Sequence, residues 1–159
     1  MLPATEEIAD FFSEKEIHFS VQENDDSSRI TASAVVDYTT FTAYFISNDD
    51  TNDVSVRVPH FVRYKAKNRR DMLRIANRMN DKYRFVKFTV NDEAESVTIE
   101  YDFAEKTENI GPAAEELFRR VMQIAEEAYP EFMRAIWGKP DSEPEQQNLG
   151  NIVFHDFEV

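Results

Sequence analysis

Lys67-Asn-Arg-Arg-Asp-Met-Leu-Arg-Ile-Ala-Asn-Arg-Met-Asn-Asp-Lys-Tyr83 carries the strongest periodicity in this 159-residue chain. Met72, Ile75, Ala76, Met79 and Tyr83 fall on one side at helical spacing. Lys67, Arg70, Arg74 and Arg78 fall on the other, at steps of three, four and four. The spacing predicts an amphipathic helix over 67–82 whose wet face is basic. Directly after it the period drops to two. Arg84-Phe-Val-Lys-Phe-Thr-Val90 and Val97-Thr-Ile-Glu-Tyr-Asp-Phe103 read as strands joined through a hairpin turn at Asn91 to Ser96.

Working back towards the N-terminus, Pro3 to Glu16 reads as a short helix with Thr5 as its cap and Ile8, Phe11 and Phe12 on one face. Ile17, Phe19 and Val21 then alternate with polar residues, as do Ile30, Ala32, Ala34 and Val36, then Phe41, Ala43 and Phe45, then Val54, Val56 and Val58. Pro59 is expected to end the fourth of these strands. The short acidic spacers between them argue for an antiparallel meander. Towards the C-terminus, Gly111 and Pro112 open the longest helix, to about Trp137. Its stripe of Leu117, Val121, Ile124, Ala125, Ala128 and Phe132 is widened by Phe118, Met122, Tyr129 and Ile136. Pro130 is expected to end or kink it. The order α-β-β-β-β-α-β-β-α implies an α+β fold, an antiparallel sheet flanked by helices.

The same pass divides the chain into one domain over 1–138, a polar linker over 139–150 and a tail over 151–159. In the tail, Ile152, Val153, Phe154, Phe157 and Val159 bring apolar residues back. It is expected to dock on its own domain or on a neighbouring chain.

Charge sharpens the picture. The net charge is −13, yet ten Lys and Arg stand against two acids between Arg63 and Lys87. That window carries +8 and the remainder −21. Acidic surface elsewhere in the fold can neutralise the basic helix, or the helix can grip an acidic partner or a phosphate. The acidic total argues against nucleic acid. There are no cysteines, so disulfides and thiolate metal sites within the chain are excluded. Met1 to Glu7 lacks the basic and apolar regions of a signal peptide, and no apolar run reaches bilayer length. Cytoplasmic residence is the expectation.

Catalytic patterns are missing. No G-x-S-x-G occurs, and three glycines cannot supply a phosphate-cradling loop. His18, His60 and His155 lie far apart in sequence, without metal-ligand spacing. Ser47-Asn-Asp-Asp-Thr-Asn-Asp53 has the carboxylate density of a calcium loop. Counting from Asn48, however, its sixth position is Asp53 rather than Gly and its twelfth is Pro59 rather than Glu. It reads as a solvated turn. No catalytic residue, cofactor site or metal site is assigned.

Asp71-Met-Leu-Arg-Ile-Ala-Asn-Arg-Met-Asn80, Lys87-Phe-Thr-Val90, Val97-Thr-Ile-Glu-Tyr-Asp-Phe103 and the stretch from Glu116 to Met133 resemble the YbjN-like family of bacterial proteins, described as sensory transduction regulators. Asn77 and Asn80 are the most family-like details, while the turn from Asn91 to Ser96 lacks an expected glycine. The resemblance implies a fold similar to type III secretion chaperones, often dimerised, and brings no catalytic residue. The reading is a non-enzymatic protein-binding module, chaperone-like or regulatory, forming a homodimer. The alternative is a small-molecule or nucleotide-binding regulatory domain using the basic helix. Lys67, Arg70, Arg74 and Arg78 are the candidate partner contacts. Phe118, Met122, Tyr129 and Trp137 are the candidate self-association surface, with coverage by the first helix or the tail as the competing explanation.

Overall fold

The computed structural model describes residues 1–37 and 39–138. Helix α1 (Pro3–Glu14) leads into strands β1 (Phe19–Glu23), β2 (Ser28–Val36), β3 (Thr39–Ser47) and β4 (Val54–Arg63). A 3-10 turn at Ala66–Asn68 feeds helix α2 (Arg69–Lys82). Strands β5 (Lys87–Asn91) and β6 (Ser96–Asp102) and the long helix α3 (Ile110–Trp137) follow. The architecture is α+β in the expected order. The six strands form one antiparallel sheet in the order β1-β2-β3-β4-β6-β5.

Alternation decides the two faces of the sheet. Ile30 sits opposite Phe45 and Phe45 opposite Val56, while Val58 and Phe88 both flank Ile99. All six are buried beneath the helices. The other face is polar. Arg57 pairs with Asp102 at 2.8 Å, Ser33 and Thr42 share a hydroxyl hydrogen bond of 2.8 Å, and Arg29 lies over the Tyr44 ring.

Helix α1 holds the N-terminal end. Phe12 is fully buried and its ring meets those of Phe19, Phe45 and Phe118. Gly111, in the first turn of α3, lies so close to α1 that a Cβ there would sit 2.9 Å from the Glu7 carbonyl oxygen. Thr5 is not the cap of α1. The N-cap is Leu2, and Pro3 starts the helix with a preset φ. The buried Thr5 hydroxyl instead donates to Ser47 Oγ at 3.1 Å and lies 2.5 Å from Ser28 Oγ. Three hydroxyls that would each be costly to bury alone thus satisfy one another where β2 meets β3.

One proline behaves differently from expectation. Pro59 does not end β4; the strand passes it through a bulge. Val58 pairs with Ile99 and Val62 with Val97, so three residues of β4 span one residue of β6. His60 takes φ 52° inside the bulge. A residue without an N–H fits where ladder bonding is already interrupted. The bulge brings Phe61 as well as Val62 into the core. Phe61 then packs against Phe41, Phe88, Tyr129 and Phe132, with ring centroids 5.4 to 5.9 Å apart. Pro130 does not end α3, which continues to Trp137. Two of the rings that clamp on Phe61 flank that proline in sequence, and their burial outweighs the lost hydrogen bond.

The expected helix faces are correct: Met72, Ile75, Met79, Leu117, Val121 and Ile124 all lie in the core. Phe61→Ala should lower stability by about 3–5 kcal/mol, measured as the shift of the urea midpoint. Phe85→Ala, which removes a half-exposed ring lying under Arg120, should cost about 1 kcal/mol or less.

Candidate functional site

Helices α2 and α3 run antiparallel, and three polar links tie them. Asn68 Nδ2 donates to the Ala135 carbonyl at 3.5 Å, Arg78 pairs with Glu131 at 2.9 Å, and the Tyr83 hydroxyl donates to Glu127 at 2.9 Å. Between the first two links lies a groove of about 840 Å³. One wall carries Lys67 of the 3-10 turn with Arg74 and Arg78 of α2, and the α3 wall carries Arg134, Ile136 and Trp137. A second hollow of about 470 Å³ adjoins it across Lys67, Asn68, Ile136 and Trp137, adding Arg63 and Lys65. Trp137 is 80 % exposed on the ridge between the two.

The fold neutralises part of the basic window and leaves part of it unpaired. Arg69 pairs with Asp92 at 2.6 Å, Arg78 with Glu131, and Lys87 with Glu100 at 3.6 Å. The Arg69 hydrogen bond holds the Asp92 carboxyl below its ordinary range. Burial first, then the hydrogen bond to Asp92, pushes the Tyr64 phenol up. Among the described residues, Arg63, Lys65, Lys67, Arg70 and Arg74 have no carboxylate at ion-pair distance. Four of these five cations line the paired hollows.

The structure therefore brings Lys67, Arg74 and Arg78 together and leaves Arg70 outside the groove. Phe118 and Met122 are not free for self-association, because both are buried. Phe118 meets Phe12, so α1 covers this part of the wide apolar stripe. Tyr129 is half-buried against Phe41 and Phe61, and only Trp137 of the four is exposed. The expected linker and docking tail lie outside the described residues. Sequence reasoning named Trp137 only for self-association and did not place it with Arg134 opposite the basic helix. Arg134 and Trp137 sit beyond the apolar stripe, and nothing local indicates which helix they face.

A third opening of about 370 Å³ lies where β3 and β4 part. The strands pair from Tyr44 and Arg57 to Ser47 and Val54. Beyond that point Thr39–Thr42 and Pro59–Phe61 flank a cleft closed by Tyr129 and Met133. At the far edge of the sheet Asn80 acts as a backbone surrogate. Its Oδ1 accepts from the Phe88 N–H at 2.6 Å and its Nδ2 donates to the Phe88 carbonyl at 3.1 Å, occupying the free edge of β5. The hairpin turn that lacks glycine places Glu95 at φ 47°, the conformation a glycine would take without strain. Among the described residues no three His, Cys, Asp or Glu are placed to hold a metal ion, and no helix is long and apolar enough to cross a membrane.

A comparison with protein families matches residues 4–134 to YbjN, described as "Putative bacterial sensory transduction regulator". The comparison with curated proteins gave no match.

The α2–α3 seam carries a pH signature. Burial, then the hydrogen bond to Glu127, pushes the Tyr83 phenol up from 10.0 to about 12. The folded chain holds this proton more tightly than the unfolded chain, so the contribution is whole below pH 10 and drains away between about pH 10 and 12. Tyr83→Phe should therefore show a shallower loss of melting temperature than the native chain across that window.

Proposed function

The chain belongs to the YbjN family, and from that membership we propose that it is a cytoplasmic, non-enzymatic regulatory module, chaperone-like in use, that binds an acidic segment of a partner protein in the groove between α2 and the end of α3. The family's description is of a regulator rather than an enzyme. The observation that carries the reading is the set of unpaired cations beside an exposed tryptophan. Lys67 and Arg74 are seven positions apart on one wall, and Arg78, already paired with Glu131, extends the basic row four positions further. At helical rise this array is roughly 16 Å long, which suits an extended acidic chain. A nucleotide phosphate calls for donors converging on one point, often at a glycine-rich helix start. Trp137 and Ile136 add an apolar surface on the opposite wall. Aromatic and arginine side chains are those that anchor protein interfaces.

The test uses fluorescein-labelled polyglutamate as the acidic probe. Lys67→Glu with Arg74→Glu should weaken its binding by roughly tenfold or more, about 1.4 kcal/mol, while the melting temperature changes little because both side chains are exposed. Arg119→Glu with Arg120→Glu makes the same charge change on α3, outside the groove, and should leave binding within about threefold of native. Equal losses from the two pairs would assign the affinity to overall charge and refute the groove.

A further inference from the structure

The groove has an acidic neighbour in its own chain. Gly138 lines the groove, and residues 139–159 follow it in the chain. They carry Asp141, Glu143, Glu145, Asp156 and Glu158 against Lys139, a net −4. The groove walls carry Lys67, Arg74, Arg78 and Arg134 against Asp71 and Glu131. Glu131 is already shared by Arg78 and Arg134, at 2.9 and 3.5 Å. Lys67 and Arg74 are left as the unmatched positive charge along this surface. Trp137 and Ile136 offer the apolar contact, and residues 152–157 supply Ile152, Val153, Phe154 and Phe157.

We propose that the segment 139–159 of the same chain occupies the α2–α3 groove, Asp141, Glu143 and Glu145 facing Lys67 and Arg74, and that an acidic partner binds by displacing it. The inference rests on the groove being the partner site. Reach is no obstacle: three to seven residues of extended chain beyond Gly138 cover roughly 10–25 Å, enough to cross a groove whose basic wall is roughly 16 Å long. Acids at every second position share one side of an extended chain. Tethering gives the segment an effective concentration on the order of millimolar, so weak contacts suffice to hold it in place. A partner then succeeds only by bringing more charge or more apolar surface than the tail.

Trp137 is the sole tryptophan of the chain, so its fluorescence reports on the groove directly. In the full chain, Trp137 should be protected from acrylamide and emit to the blue of two full-length variants: the triple Asp141→Asn, Glu143→Gln, Glu145→Gln, and the pair Lys67→Glu, Arg74→Glu. Adding Asp141→Lys, Glu143→Lys and Glu145→Lys to that pair should restore protection, a result that a simple packing change at Trp137 would not produce. The triple variant should also bind polyglutamate roughly tenfold more tightly than the native chain, its internal competitor being weakened. Equal quenching of Trp137 in the native chain and the triple variant overturns the proposal. Protection that fades on dilution overturns it too, since the groove would then be filled by a second copy. If polyglutamate fails to bind any of these chains while Trp137 protection still follows the tail charges, the tail contact stands and only the partner reading falls.

Discussion

The bulge at Pro59 and His60 is the constraint on which the C-terminal half of the structure depends. With regular alternation, a strand that buries Val54, Val56 and Val58 would turn Phe61 towards the polar face. The extra length taken up between Val58 and Val62 brings Phe61 inward instead, where it meets four other rings. Two of those rings, Tyr129 and Phe132, belong to α3 on either side of Pro130. The cluster fixes the last turns of α3 over the end of the sheet. It thereby sets where Arg134, Ile136 and Trp137 stand relative to α2. A non-glycine residue at positive φ is a local cost, and the burial of a large aromatic side chain is a larger gain.

The same distortion has a second effect. Because β4 bends away through the bulge, it stops pairing with the first half of β3, and a cleft opens between them. The sheet is therefore continuous at one end and divided at the other, with α3 lying across the division. Helix α1 has the opposite role. It closes the N-terminal end with Phe12, the Thr5 hydroxyl cluster and the tight approach to Gly111. One end of the fold is sealed, while the end carrying the groove is left open and charged.

Charge follows that division. The basic window is contiguous in sequence, but folding splits it by the direction each residue faces. Arg69 is drawn to Asp92 at the β5–β6 turn, an exposed and weakly stabilising pair, and Lys87 to the half-buried Glu100 on the neighbouring strand. Lys67 and Arg74 face the groove, where the acids among the described lining residues are Asp71 and the already engaged Glu131. Partial neutralisation and a binding surface are thus successive parts of one charge distribution.

The sequence by itself determined the element order, the antiparallel sheet and the buried faces of α2 and α3, because hydrophobic periods of 2 and 3.6 are local properties that tertiary packing preserves. It also revealed the basic face of α2 and the family, since both lie in contiguous residues. Only the tertiary structure decided the rest. Thr5 looked like a cap, but Ser28 and Ser47, far along the chain, drew its hydroxyl into the core. Pro59 looked like a stop, but aromatic packing around Phe61 carried β4 through it. Phe118 and Met122 were open to self-association or to coverage, and the structure buries both, Phe118 against Phe12 of α1. The groove needed two helices placed side by side, and no spacing within either one specifies its neighbour. A local pattern fixes which side of an element is apolar. What that side meets is set by contacts between residues distant in sequence, whose net energies emerge only when the whole core is packed.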